Sequence, residues 1–317
     1  MALGLRLAGP TGEVDERPAD EPGSALERSG SRGVLARRIL RLPLTGLLPL
    51  FAYLTLFFVV PTVGVLVQAF QGPGGRPSLA NLRAATTGVY LHALVVSVEL
   101  STVSAVVAAV LGTLAVVALT GKRGGPLSRL AAGLAAVLAN TGGIPLAFAF
   151  IATLGNFGVV TGLLGHLGLD PYRHGFTLYS VTGLVVVYQY FLIPMMVLVM
   201  LPAVEGLRRE WREAAESLGA TGPRYWRHVG LPLLAPTFLS GLLVLFADAF
   251  AAYATAAALA GGVIPLVPLD IGNLVSGNVV ANQANLGDAL GVEMVVLVVL
   301  VASCYSLVVR RRARWLR

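Results

Sequence analysis

The chain has 317 residues, of which 56% are hydrophobic and 12% charged, and its formal net charge is +7. An ordinary soluble domain has roughly 45 to 50% apolar and about 25% charged residues, so this composition excludes one. A single cysteine, Cys304, excludes a disulfide framework and a cysteine-rich metal site.

Residues 1–42 carry seven Arg and six Asp or Glu among Pro, Gly and Ser, and are expected to form a disordered tail, because so little apolar surface cannot offset ordering entropy. They contain no long apolar run ahead of a small-residue cleavage site, so a cleavable signal peptide is not expected. From 43 to 317 the chain reads as an all-α polytopic membrane domain. Six apolar runs, at about 20 residues per bilayer crossing, predict spans near 44–69, 92–119, 130–154, 178–201, 235–259 and 290–309.

The basic residues orient these spans. Seven lie in the tail, three follow the second span (Lys122, Arg123, Arg129), five follow the fourth and five the sixth, while only Arg76, Arg83 and Arg173 fall on the other side. Cytoplasmic loops retain Lys and Arg, so both termini are expected inside and the net charge reflects topology rather than nucleic-acid binding. Trp315 and the Arg cluster from Arg310 are expected to anchor the last span at the inner surface. Among the outer segments, apolar Gly155–Leu169 is too short to span and predicts a surface or re-entrant helix. Gly261–Asp288 is expected to hold a short amphipathic helix outside the bilayer.

The cytoplasmic loop 203–235, between the fourth and fifth spans, combines charge with helical periodicity. Leu207, Trp211, Ala214 and Leu218 recur at intervals of four, three and four, predicting a helix over 207–219 with one apolar stripe. Glu205, Arg208, Arg209, Arg212 and Glu216 fall opposite. Gly219 stands where a left-handed residue closes a helix, and Thr221-Gly222-Pro223 predicts a turn into a second helix leading through Pro232 and Pro236 into the fifth span. Taken alone, such a segment is equally an amphipathic helix lying on the lipid surface.

The residue order weighs against that. Glu213-Ala214-Ala215, three residues, Gly219-Ala220, then Val229 and Pro232 reproduce the spacing of the EAA loop, and the chain resembles the membrane subunit of binding-protein-dependent ABC importers. The resemblance covers the chain from about Leu44 onward and implies a type I importer permease fold with six transmembrane helices. It also implies that residues 207–219 form a coupling helix seated in an ATPase cleft, with Trp211, Arg212, Glu213, the two alanines, Leu218 and Gly219 at the contact. Weaker cues at Leu154–Gly158, Gly261-Gly262 and Ile271–Asn273 look most like permeases of the polyamine type, a subgroup similar to those for ferric iron, thiamine, aminoethylphosphonate and oxyanions.

No phosphate-binding loop of the G-x-x-x-x-G-K-[ST] type occurs, so ATP and Mg are expected on partner chains and no cofactor on this one. The implied partners are two ATPase subunits, a second permease that is a copy or a relative, an extracytoplasmic solute-binding protein and the bilayer of a bacterial inner membrane.

Ionisable residues inside spans are costly and mark candidate sites. Glu99 lies in the second span and Asp248 in the fifth, with Asn140 in the third and Gln189 in the fourth; together they are candidates for a polar pathway suited to a cation. Interhelical bonding is the structural alternative for each. Counting Asp170, Asp270, Asp288 and Glu293, acids outnumber bases in the outer half, which would concentrate a cationic solute such as a polyamine. An ion-coupled secondary carrier would also use Glu99 and Asp248, but has no need of the EAA spacing. A membrane-embedded enzyme would need a paired catalytic constellation, and none stands on the spans.

Overall fold

In the computed structural model the described residues are 47–72, 75–120, 126–169, 171–277 and 283–313. The expected tail, Lys122, Arg123, Asp170 and Trp315 lie outside them. The described chain is almost entirely helical, with six helical stretches long and apolar enough to cross a membrane: Leu47–Ala69, Gly88–Thr120, Ile144–His166, Val181–Glu205, Gly222–Ala251 and Ala284–Leu307.

The chain divides into two units at Thr62/Val63. The described part of the first, residues 47–62, is the leading portion of α1 (Leu47–Ala69); it includes a π-helical turn at Thr55–Val59 and has no buried residue. The second unit continues with α2 (Ala80–Ala85), α3 (Gly88–Thr120), α4 (Pro126–Ala139), α5 (Ile144–Leu154), α6 (Val159–His166) and α7 (Val181–Glu205). After these come α8 (Arg209–Ser217), α9 (Gly222–Ala251), α10 (Ala254–Ala260), α11 (Val267–Val275) and α12 (Ala284–Ala313).

The core forms where α3, α7 and α9 meet. Lipid supplies no hydrophobic force between helices, so association relies on close packing of small residues. The buried face of α3 is such a surface: Ala93, Ser97, Ser101, Ala105, Ala108, Ala109 and Gly112 recur close to every fourth position. Against it α7 places large side chains, among them Leu184, Tyr188, Leu192 and Met196. Met196 is wedged between two helices. A Cβ on Gly112 of α3 would lie 2.6 Å from Met196 Cβ, and one on Gly241 of α9 would lie 2.8 Å from its sulfur.

Two expected spans need correction. The third, expected as one helix over 130–154, is interrupted at 140–143 between α4 and α5, and the apolar stretch that qualifies as a span is Ile144–His166, with Ser128–Ala139 a shorter apolar helix before it. Asn140 Nδ2 donates to Ala136 O (2.8 Å) and Thr141 Oγ1 to Val137 O (2.7 Å), closing the end of α4 on itself. Gly143, at φ 79° and ψ −152°, then takes a conformation that a side chain would resist, and Pro145 begins α5. The fifth span starts earlier and ends at Ala251 rather than near 259, because the chain turns extended at Ala252 before α10.

Both interruptions are stitched to protein, as backbone at membrane depth requires. Gly143 N–H donates to Thr255 Oγ1 (2.9 Å), whose hydroxyl donates back to Gly143 O (3.4 Å), and Tyr188 OH donates to Ala252 O (3.3 Å). Ser97 Oγ accepts from Val267 N–H (3.0 Å), docking α11, within the stretch expected to hold a short amphipathic helix, on α3.

Replacing Gly112 by Leu should lower the thermal midpoint in detergent, since overpacking a tight contact destabilises by about 1 to 3 kcal/mol. Gly133→Leu on α4, where a Cβ meets nothing within 4 Å, should leave the midpoint near that of the unmodified chain.

Candidate coupling loop and membrane-embedded polar residues

The loop after α7 folds into a short protruding helix that ion pairs brace along its length and Gly219 closes at its C-terminal end. α7 ends at Glu205, and Leu207 lies in the turn that follows, packed against the core rather than on α8. α8 therefore begins at Arg209, two residues later than the stripe predicted. Arg209 pairs with Glu213 (2.6 Å) and Arg212 with Glu216 (2.9 Å), each one turn apart and exposed, pairs worth roughly 0.3 to 0.5 kcal/mol. At the other end, Gly219 N–H donates to Glu216 O and Ala220 N–H to Ala215 O, both at 2.9 Å. This double closure needs a left-handed residue between them, and Gly219 supplies it at φ 78°.

Thr221 is extended, and Gly222-Pro223 opens α9 as expected. A π-helical turn follows at Trp226–Gly230 and carries half-buried Val229; there Leu231 N–H donates to Trp226 O. That wider turn precedes Pro232, which has no N–H to contribute to a helical ladder, so α9 enters the membrane without a break.

The outward face of α8 is apolar. Trp211 is 39% exposed and Leu218 88% exposed, with Ala214 exposed between them and Ala215 half-buried. Arg208 stacks over the Trp211 ring at 5.9 Å from its centroid. The Glu213 carboxylate, expected to be offered to a partner, is already engaged by Arg209 within the helix.

The four membrane residues come from four different segments of the chain. Glu99 on α3 and Asp248 on α9 are both exposed on the surface of this single chain. Gln189 on α7 is half-buried; its Nε2 donates to Val185 O (2.9 Å) and to Ser104 O on α3 (3.3 Å), while its Oε1 is buried without a partner. Asn140 is exposed and caps the end of α4 rather than sitting midway along a span. No hydrogen bond or ion pair joins any two of these four.

Sequence reasoning missed the stitched interruptions. Asn140-Thr141-Gly142-Gly143 carried a turn signal that lay inside an apolar run, whereas Ala252-Tyr253 carries none. Asp270 on α11 is half-buried, and burial pushes its carboxyl above the ordinary carboxylate value.

No family model matches the chain. It is 32% identical over 85 residues to the sulfate transport system permease protein CysT of Salmonella typhimurium, a match that covers 27% of this chain and 31% of that relative. The matched segment thus spans about a third of the relative's length. Among solved structures, a chain of a bacterial ABC transporter involved in the import of the acidic polysaccharide alginate aligns with a TM-score of 0.68 at 18% identity, covering 87% of this chain and 98% of that one. A chain of the bacterial alginate ABC transporter in complex with an alginate pentasaccharide-bound periplasmic protein aligns at 0.69 and 16% identity, covering 87% and 96%. The fold is therefore that of an ABC importer membrane chain, as the EAA spacing implied.

Thr255→Val should lower thermal stability by about 1 to 3 kcal/mol, because it leaves the Gly143 N–H without its acceptor, and Thr255→Ser should restore most of the loss in the same melting assay. A folded-state pKa of Asp270 above its unfolded value makes stability fall as pH rises from the ordinary carboxylate value through the raised one. Asp270→Asn should flatten that part of a plot of melting temperature against pH.

Proposed function

We propose that the chain is the permease subunit of an ATP-driven importer in a bacterial plasma membrane, forming half of a translocation pathway completed by a second permease, a copy or a relative. Two ATPase subunits, carrying the ATP and Mg, dock on the cytoplasmic side, and a solute-binding protein delivers from outside. The observation that carries this is α8 with the turn that follows it: a short helix closed at its C-terminal end by Gly219, carrying the Glu213-Ala214-Ala215 start of the EAA spacing, with Trp211, Ala214 and Leu218 exposed. An element that transmits ATPase closure must protrude, be stiff and bury apolar anchors at its contact, and buried aromatic anchors dominate interface energies. ATP binding closes the ATPase pair and displaces α8; the displacement passes through α7 and α9, which flank it in sequence, and the pathway opens outward.

An oxyanion is the solute class best supported, on the strength of the sequence match to a sulfate permease. A small cation such as a polyamine is the second reading, favoured by exposed Glu99 and Asp248. A carboxylate turned outward inside a membrane is expensive against lipid, so both belong against a partner chain or a watered path. An anion would be repelled by two such charges on its route, which places them at the partner contact if the solute is an oxyanion and on the route if it is a cation.

Gly219→Val puts a β-branched residue at φ 78°, and Glu213→Lys sets a cation beside Arg209. Either should reduce uptake in cells and co-purification of the ATPase by at least roughly tenfold, the equivalent of about 1.4 kcal/mol, while membrane expression persists. Normal uptake by both variants would refute the coupling role. A thermal-shift screen of the companion binding protein separates the solutes: stabilisation by sulfate supports the oxyanion, and stabilisation by spermidine supports the cation.

A further inference from the structure

Behind α8, lined by neither Trp211 nor Leu218, is an open cleft of about 870 Å³ between the loop and the ends of α3, α4 and α7. Its lining is strongly charged. Four guanidinium groups, from Arg129, Arg208, Arg209 and Arg212, meet three carboxylates, from Glu205, Glu213 and Glu216. Two of the carboxylates are ion-paired, Glu213 with Arg209 and Glu216 with Arg212, while Glu205 accepts a hydrogen bond from the buried Ser128 Oγ (2.8 Å) and keeps its charge, so the lining has one positive charge in excess. Arg129 on α4 and Arg208 at the foot of α8 are left without an ion-pair partner among the described residues, Arg208 lying at the rim of the cleft with its guanidinium over the Trp211 ring.

Two unpaired guanidinium groups on different elements of one concave surface form an anion site, because each planar fork can bond two oxygens of a tetrahedral oxyanion. Position narrows the ligand. The cleft lies at the ends of the long apolar helices α3 and α7 and of the shorter α4, where the hydrocarbon gives way to headgroups, and Trp226 lines it as interfacial aromatics do. Basic recesses between helix ends on the cytoplasmic side are suited to anionic headgroups.

We propose that this cleft binds a phosphate-type anion between Arg129 and Arg208, supplied by an anionic lipid headgroup of the inner leaflet or by free phosphate. The bound anion ties the foot of α8 to α4 and so stiffens the seat of the protruding helix. The site goes beyond the importer reading, since its occupancy does not depend on an ATPase being docked.

The test uses the full chain, purified in neutral detergent, with native mass spectrometry after exposure to phosphatidylglycerol or phosphatidylcholine, and calorimetric titration with inorganic phosphate. The Arg129→Gln/Arg208→Gln double variant is compared with Arg224→Gln, which removes a charge from the same loop outside the cleft. Melting curves of both variants in lipid-free detergent verify that each remains folded. Preferential retention of phosphatidylglycerol, weakened roughly tenfold or more in the double variant and unchanged in Arg224→Gln, supports the proposal with lipid as the source. Binding of inorganic phosphate with the same dependence, without lipid selectivity, supports it with a free anion as the source. Absence of both, or equal weakening by Arg224→Gln, overturns it.

Discussion

The close approach of α3 to α7 is the contact on which the rest of the structure depends. Apolar side chains gain nothing by leaving lipid for protein, so the two helices are held by fit and by the few polar bonds that cross between them. Alanine, serine and glycine on one face of α3 admit the bulk of α7, and Met196 fills the space left by Gly112 and Gly241. Gln189 adds one polar bond across the seam, to the Ser104 carbonyl. With α7 fixed on this surface and α9 packed beside it, the two ends between which the loop hangs are placed, and α8 is displayed between them.

The same solvent imposes a second condition, that backbone groups inside the membrane find partners within the protein. It explains why the interruptions at 140–143 and at Ala252 fall where another element is ready to receive them. The Gly143 amide and carbonyl are met by Thr255, and the Ala252 carbonyl by Tyr188. The interruption in one span thus supports the interruption after another. The π-helical turn before Pro232 follows the same rule, shifting the ladder where a donor is missing.

Much of this was legible in the residues. Composition and apolar runs gave the class and number of spans, and the spacing of Glu213 to Pro232 gave the loop, including the left-handed Gly219 that the structure shows at φ 78°. The two interruptions were not, because hydropathy averages over about 20 residues and a four-residue polar turn such as Asn140–Gly143 vanishes in the window. Leu207 fell on the predicted stripe yet packs on the core, since periodicity locates a helical face and not the residue where the helix begins. The outward exposure of Glu99 and Asp248 lay beyond sequence for a similar reason: a nearly all-apolar helix has no polar face to mark its orientation. The lean towards polyamines rested on counting carboxylates and on short cues at Leu154–Gly158, Gly261-Gly262 and Ile271–Asn273, neither of which defines a binding site.

The central claim is that α8 seats in an ATPase through its exposed apolar face. The most direct measurement is crosslinking from Leu218→Cys in a Cys304→Ser background, in membranes that contain the companion ATPase, with Gly133→Cys on α4 as the comparison position. The account predicts an ATPase adduct at Leu218→Cys that changes in yield with ATP, and none at Gly133→Cys. An ATPase present in the same membranes that never crosslinks to Leu218→Cys would contradict it.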